Sequence, residues 1–166
     1  MSDEIVRPLL ASDVPMLVAA STAAGRLFAE HGILLPEDDP AATIAEADDV
    51  LVADLPSAGP VGFAATTVLD GDCHLAELAV HPAYGRRGIG GSLLRATIDR
   101  ARRRGFGRVS LTTFADLPFN APWYAHRGFR VLAERDHGPE LAAQRLLEIE
   151  AGITVAPRVV MVHDLR

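Results

Sequence analysis

The segment Leu78-Ala-Val-His-Pro-Ala-Tyr-Gly-Arg-Arg-Gly-Ile-Gly-Gly-Ser-Leu-Leu94 constrains this chain more than any other. An apolar, strand-like run, Cys73–Val80, stops at His81-Pro82. A glycine-rich turn follows, carrying Arg86, Arg87, Gly88, Gly90 and Gly91, and an apolar-periodic helix begins near Ile89. A strand that passes through a glycine turn into a helix start makes an anion site. The glycines let the backbone approach closely, and the first amides of the helix have no partner inside it. Arg86 and Arg87 add charge-assisted donors. The expected ligand group is a pyrophosphate.

Two common phosphate loops are excluded. A P-loop needs a lysine, and the chain has none. A dinucleotide turn needs Gly-x-Gly-x-x-Gly and an acid about 20 residues on. Here the spacing is Gly85-x-x-Gly88-x-Gly90, and Asp99 falls too early, inside the helix. Val80–Gly91 instead resembles the Gln/Arg-x-x-Gly-x-Gly/Ala turn of the GNAT superfamily of acyl-CoA-dependent N-acetyltransferases, with Gly85 where Gln or Arg is usual. That departure removes one side chain and keeps the backbone cradle. Leu111–Phe129 resembles the superfamily's strand-loop-helix segment ending in Tyr-x-x-x-Gly-Phe, here Tyr124 to Gly128-Phe129. The resemblance covers roughly residues 60–135.

The resemblance implies acetyl-CoA as acyl donor cosubstrate and a splayed pair of strands that admits its arm. It implies backbone bonds from Leu78, Ala79 and Val80 to the pantetheine amides, and a diphosphate held by Arg86, Arg87, Gly88, Ile89, Gly90, Gly91 and Ser92. It also implies Tyr124 as the acid that protonates the departing thiolate. The family's usual Asn stands seven residues before that tyrosine, a place taken by Leu117; Asn120, four before it, is the remaining candidate for a contact to the CoA arm. The alternative for Asn120 is a helix cap ahead of Pro122.

An alternating order of elements runs along the chain. Strands are expected at Glu4–Leu10, Val50–Leu55, Pro60–Leu69, Cys73–Val80, Arg108–Phe114, Phe129–Glu134 and Arg158–Leu165. A first helix starts at Ser12-Asp13-Val14-Pro15, with Ser or Asp as cap, and ends before Gly32. Others are expected at Pro40–Ala47, Ile89–Arg104, Phe119–Arg127 and Pro139–Glu150. The fold class is therefore α/β (α+β), the GNAT fold. It has a central, mostly antiparallel mixed sheet of about seven strands with helices on both faces, in one domain over residues 1–166. The parallel step joins Cys73–Val80 to Arg108–Phe114 and puts the glycine turn at a ligand-binding sheet edge.

The apolar runs are far shorter than the roughly 20 residues of a membrane span, so no membrane partner is expected. The acidic start Met-Ser-Asp-Glu-Ile-Val lacks a leader pattern, and the single Cys73 suits the cytoplasm. The histidines are scattered without zinc-like spacing, so no metal is expected. Net charge is −6 but unevenly placed: Glu30–Asp54 holds eight acids and no arginine, and Gly85–Arg108 holds eight arginines and one acid. Two solvated faces would explain this. So would a basic half for polyanionic CoA and an acidic half that draws a cationic amine. Arg100, Arg102, Arg103 and Arg104 complement the end of their helix. The acidic total argues against a nucleic-acid partner.

Acyl transfer to an amine needs a base, a polarised carbonyl and an acid, but no enzyme nucleophile. Cys73 reads as a core residue and Ser92 lacks a nucleophile elbow. Glu77 is the one charged side chain in His74–Val80. It is either the base or half of an ion pair with an arginine, because a buried carboxylate needs a partner. His74, His81 and Asp116 are in reserve. Tyr124 is either the acid or a core tyrosine beside Trp123. The expected function is acetyl transfer from acetyl-CoA to a primary amine of a small molecule or peptide. The alternatives are a non-catalytic acyl-CoA sensor of the same fold and a phosphate-binding regulatory domain. The acceptor pocket is expected between residues 23–39, including Gly25, Arg26, Phe28, Glu30, His31 and Gly32, and the region after Phe129. A homodimer stays open.

Overall fold

The computed structural model describes residues 3–166; Met1 and Ser2 of the acidic start lie outside the described residues. The strands are β1 (Ile5–Pro8), β2 (Asp49–Leu55), β3 (Gly59–Leu69), β4 (Asp72–Val80), β5 (Arg108–Phe114), β6 (Arg130–Val131) and β7 (Arg158–Asp164). The helices are α1 (Val14–Glu30), α2 (Pro40–Glu46), α3 (Ile89–Arg103), α4 (Ala121–Ala125) and α5 (Pro139–Glu150). The strands form a seven-stranded sheet in the order β1-β2-β3-β4-β5-β7-β6. Every neighbouring pair is antiparallel except β4 and β5, which are parallel with α3 as the crossover.

Helices cover both faces because strand residues alternate between two cores. On one face Ile89, Leu93, Leu94 and Ala101 of α3 meet Leu51, Leu75 and Leu111. On the other, Leu17 of α1 and Ile44 of α2 meet Val50, Val52 and Phe63. Leu141 of α5 joins that second face at Val160 and Val162. Burying a side chain the size of Leu93 or Phe63 contributes about 1.5–3 kcal/mol.

Several expected boundaries shift, each for a local reason. The first strand shrinks from 4–10 to Ile5–Pro8, because a 3-10 turn at Ala11–Asp13 leads into α1. Asp13 does not cap α1 with its side chain; its carboxylate accepts from Arg7 at 2.8 Å and from the Leu10 amide at 2.7 Å. The expected strand 129–134 contracts to Arg130–Val131, since the chain turns into a 3-10 turn at Glu134–Asp136. Three of the four helix-end arginines are tied to acids: Arg100 and Arg104 to Asp49, and Arg102 to Asp99 at 3.1 Å.

One long-range cap holds α5. Asp70, in the β3–β4 turn with φ of 53°, accepts from the Glu140 and Leu141 amides, each at 2.9 Å. Its own amide donates to the Glu140 carboxylate, so the two residues form a reciprocal capping box across the sheet.

Candidate active site

The site begins with one extra residue in β4. Ala65 of β3 faces Glu77 and Thr66 faces Leu75, so Ala76 is unmatched and forms a β-bulge. The bulge reverses the alternation beyond it. Cys73 and Leu75 lie in the α3-side core, yet Glu77 turns to α1, where its Oε1 accepts from Ser21 Oγ at 3.3 Å. Its Oε2 is buried with no hydrogen-bond partner. Burial pushes this carboxyl up to about 7, with the Ser21 bond opposing the shift and the Asp38 charge adding to it. No arginine pairs with Glu77 among the described residues, so the ion-pair alternative is not what forms.

The pairing of β4 with β5 ends where the bulge begins. It runs from Cys73↔Val109 to Leu75↔Leu111 and no further. Beyond it, Leu78, Ala79 and Val80 remain paired with β3, through Ala64, Phe63 and Gly62, and have no ladder partner on the β5 side. A gap with free backbone groups therefore opens between two parallel strands.

At the end of this gap stands the glycine turn. Gly88 precedes α3 with φ of 81°, a left-handed conformation that suits glycine. The first α-helical bond from this cap, Ser92 N to Gly88 O at 3.0 Å, leaves the amides of Ile89, Gly90 and Gly91 at the open helix end. Arg86 and Arg87 are both exposed beside them, and the Arg87 guanidinium lies 5.5 Å from the Tyr84 ring. Trp123 of α4 approaches the Gly90 position, with Arg127 stacked 3.8 Å from its ring centroid. This cradle of unpaired amides, small residues and arginines fits a diphosphate, and the gap fits an extended amide chain.

Tyr124 belongs to the α3-side core, its ring 5.0 Å from Trp123 and 5.5 Å from Phe129. Burial pushes its phenol well above the usual value, so it keeps its proton. Its hydroxyl has no hydrogen-bond partner among the described residues. Glu77 and Tyr124 thus flank the unpaired stretch of β4 from opposite faces of the sheet. Asn120 stands at the start of α4 without capping it; its Nδ2 donates to the Phe119 carbonyl at 3.3 Å, and its Oδ1 is buried without a partner.

The other candidates separate by environment. His74 is buried against Ser110 Oγ at 2.9 Å, and burial pushes its imidazole down to about 4. His81 accepts from the Ala83 amide at 3.1 Å. Asp116 is exposed on its loop. The Cys73 thiol is buried and pushed up to about 11, which suits a core residue and not a nucleophile.

On the α1 face a cavity of about 560 Å³ opens between α1, residues 33–38 and α5, with Ser21, Arg26, Asp38, Gln144 and Glu148 in its walls. Ser21 links it to Glu77. Among the described residues no group of three or more His, Cys, Asp or Glu side chains could hold a metal ion, and no helix is long and apolar enough to cross a membrane.

This layout has known counterparts. The acetyltransferase (GNAT) family model matches residues 17–129. The chain belongs to the GNAT family. Members of this family transfer acetyl groups from acetyl-CoA to amines, and the turn at Gly88 fits that donor. A GNAT acetyltransferase from Staphylococcus aureus aligns with 98% of this chain and 99% of its own at 15% identity and a TM-score of 0.74. A Mycobacterium tuberculosis protein in complex with CoA aligns over 98% and 99% at 24% identity and a TM-score of 0.72. N-acetylglutamate synthase from Neisseria gonorrhoeae, complexed with coenzyme A and N-acetyl-glutamate, aligns with 100% of this chain at 22% identity and a TM-score of 0.69. This GNAT chain spans only 36% of that synthase's length. At these identities the likeness concerns the fold.

Sequence reasoning missed Ser21, Thr112 and Arg158, which also face this side of the sheet. A serine in the buried stripe of α1, opposite an isolated strand glutamate, was the available signal for the first. An arginine opening the last strand was the signal for the third.

Proposed function

We propose that this GNAT chain transfers an acetyl group from acetyl-CoA to a primary amine by direct attack, with Glu77 as base and Tyr124 as acid. The observation that carries this is the Glu77 carboxyl: buried, half-partnered, pushed up to about 7 by burial, and hydrogen-bonded to Ser21, which lines the 560 Å³ cavity. A base works best when its pKa lies near the working pH.

Acetyl-CoA supplies the activated thioester. The amides of Ile89, Gly90 and Gly91, with Arg86 and Arg87, would hold its diphosphate, and the free backbone groups of Leu78, Ala79 and Val80 would bond its amide arm. The buried Asn120 Oδ1 offers one further acceptor to that arm. Glu77, once ionised, takes a proton from the acceptor ammonium. The C–N bond then forms as the C–S bond breaks; Tyr124 gives its proton to the departing sulfur and regains one from water as the new amide nitrogen sheds its second proton to water. Glu77 and Tyr124 lie on opposite faces of the gap, which lets the amine arrive on one side and the thiol leave on the other. No covalent enzyme intermediate is needed, in keeping with the unreactive Cys73.

We read residues 1–166 as one catalytic domain acting in the cytoplasm on a small-molecule or peptide amine. Purified protein with acetyl-CoA and a panel of amines should release CoA thiol and give acetylated amine by mass spectrometry. Tight acetyl-CoA binding without thiol release from any amine would favour the sensor alternative.

A further inference from the structure

Three buried polar atoms on the α1 face have no hydrogen-bond partner: Glu77 Oε2, Thr112 Oγ1 and Arg158 Nε. They come from β4, β5 and β7, three consecutive strands of the sheet. Their common face follows from their contacts. Glu77 meets Ser21 of α1. Phe114, two residues along β5 from Thr112, packs 5.5 Å from Phe28 of α1. Arg158 lies opposite Phe114 in the ladder, its guanidinium 4.6 Å from that ring, and its Nη2 donates to the Thr112 carbonyl at 3.3 Å.

The row is also charged at both ends. At the β7 end, Arg158 and Arg145 share one acid, Glu148, at 3.5 and 3.2 Å. The three side chains are only 7%, 22% and 13% exposed, in the order Arg158, Arg145, Glu148. Two guanidinium groups against one carboxylate leave one positive charge uncompensated in a poorly solvated place, which is costly. Arginine cannot shed its proton to relieve this. The free Arg158 Nε–H is a donor ready for an oxyanion. At the β4 end stands the Glu77 carboxyl with a free acceptor oxygen, close enough to Asp38 to sense its charge. The 560 Å³ cavity is lined by one neighbour of each end: Ser21, which bonds Glu77, and Glu148, which bonds Arg158.

We infer that the acceptor is an amine carrying its own carboxylate, as a free amino acid does, with its nitrogen at Glu77, its carboxylate on Arg158 and the Thr112 hydroxyl bonding between them. This rests on the acetyl-transfer reading and names its substrate class. Such a molecule satisfies all three free atoms and neutralises the excess charge. A simple alkylamine leaves Arg158 Nε unpaired. A polycation brings further positive charge toward two arginines.

The test uses matched sets of acceptors with acetyl-CoA: each L-amino acid, its amide, and the amine left when its carboxylate is removed. Thiol release gives kcat/KM for each. The best amino acid should exceed its amide and its decarboxylated amine by about 10²–10³-fold, as expected when a buried donor is left unpaired. In Arg158→Gln that preference should fall below about tenfold, mainly through a raised KM for the amino acid. Thr112→Val, a smaller change, should weaken the preference without abolishing it. If Arg158→Gln fails to fold, calorimetry of the wild-type protein saturated with CoA decides, because the amino acid should bind and its decarboxylated amine should not. Equal or better turnover of amines without a carboxylate, or an unchanged preference in folded Arg158→Gln, overturns the inference and leaves acetyl transfer standing. Thiol release with peptide amines alone also overturns the inference; absence of thiol release with all three sets and with peptide amines overturns the acetyl-transfer reading itself.

Discussion

Glu77→Gln separates a poised base from a structural glutamate. The folded carboxyl titrates near 7 against 4.5 for the free side chain. Ionising it inside the protein therefore costs about 3 kcal/mol more than in the unfolded chain, at 1.36 kcal/mol for each tenfold change. The sign follows from proton binding. Between pH 4.5 and 7 the folded chain holds a proton that the unfolded chain has lost, so stability falls as pH rises through this window and levels off above it. A glutamine cannot ionise. The variant should match the wild type at pH 4.5 and exceed it by about 3 kcal/mol at pH 8.5, or roughly 6–12 °C in Tm. Urea titrations of both proteins across this range measure the difference directly, and all other titrating groups cancel in it. Turnover should move the other way. Wild-type kcat/KM should rise with pH through about 7. The variant should lose most activity near neutrality and recover part of it as the amine becomes neutral on its own. A stability difference that does not change with pH, or a variant less stable at every pH, would refute both the buried-carboxyl assignment and its use as a base.

Tyr124→Phe removes only a hydroxyl and keeps the buried ring, so the variant should melt close to the wild type, while kcat falls by ~10²–10⁴ at unchanged acetyl-CoA affinity. Loss of stability with normal turnover would make Tyr124 a core residue. Gly88→Val forces a β-branched residue to a φ of 81°, where a Cβ meets nothing within 4 Å, so far-UV circular dichroism should stay native while calorimetric acetyl-CoA binding disappears. Gly90→Val should act differently, by pressing on Trp123, whose ring lies 3.6 Å from the added Cβ position. Asp70→Ala strips two capping bonds from α5 and should cost about 1–2 kcal/mol. Hydrogen exchange in the first turn of α5 should speed up, and the acceptor KM should rise with acetyl-CoA affinity unchanged.

The strand, glycine turn and helix start of this GNAT chain were legible because their determinants are local. A strand end, a left-handed glycine and a helix start are contiguous in sequence, and the physics of an open helix end needs nothing from elsewhere. The acceptor side was not legible, because its determinants are non-local. His74–Val80 is fit for burial on both faces, so nothing in it marks Ala76 as the residue without a partner; that depends on which β3 residues lie opposite. Yet this one residue does two things. It turns Glu77 from the α3-side core toward Ser21, and it stands where β4 and β5 stop pairing. The orientation of Glu77 and the gap are thus consequences of the same register shift. Thr112 and Arg158 look like ordinary strand polar residues until β5 and β7 are set side by side. Asp70 looks like a turn residue until α5 is docked onto it. On the proposed reading the donor cradle is one contiguous motif and the acceptor contacts are spread over α1, β4, β5, β7 and α5, so substitutions far from the glycine turn should change what is acetylated without disturbing how acetyl-CoA is held.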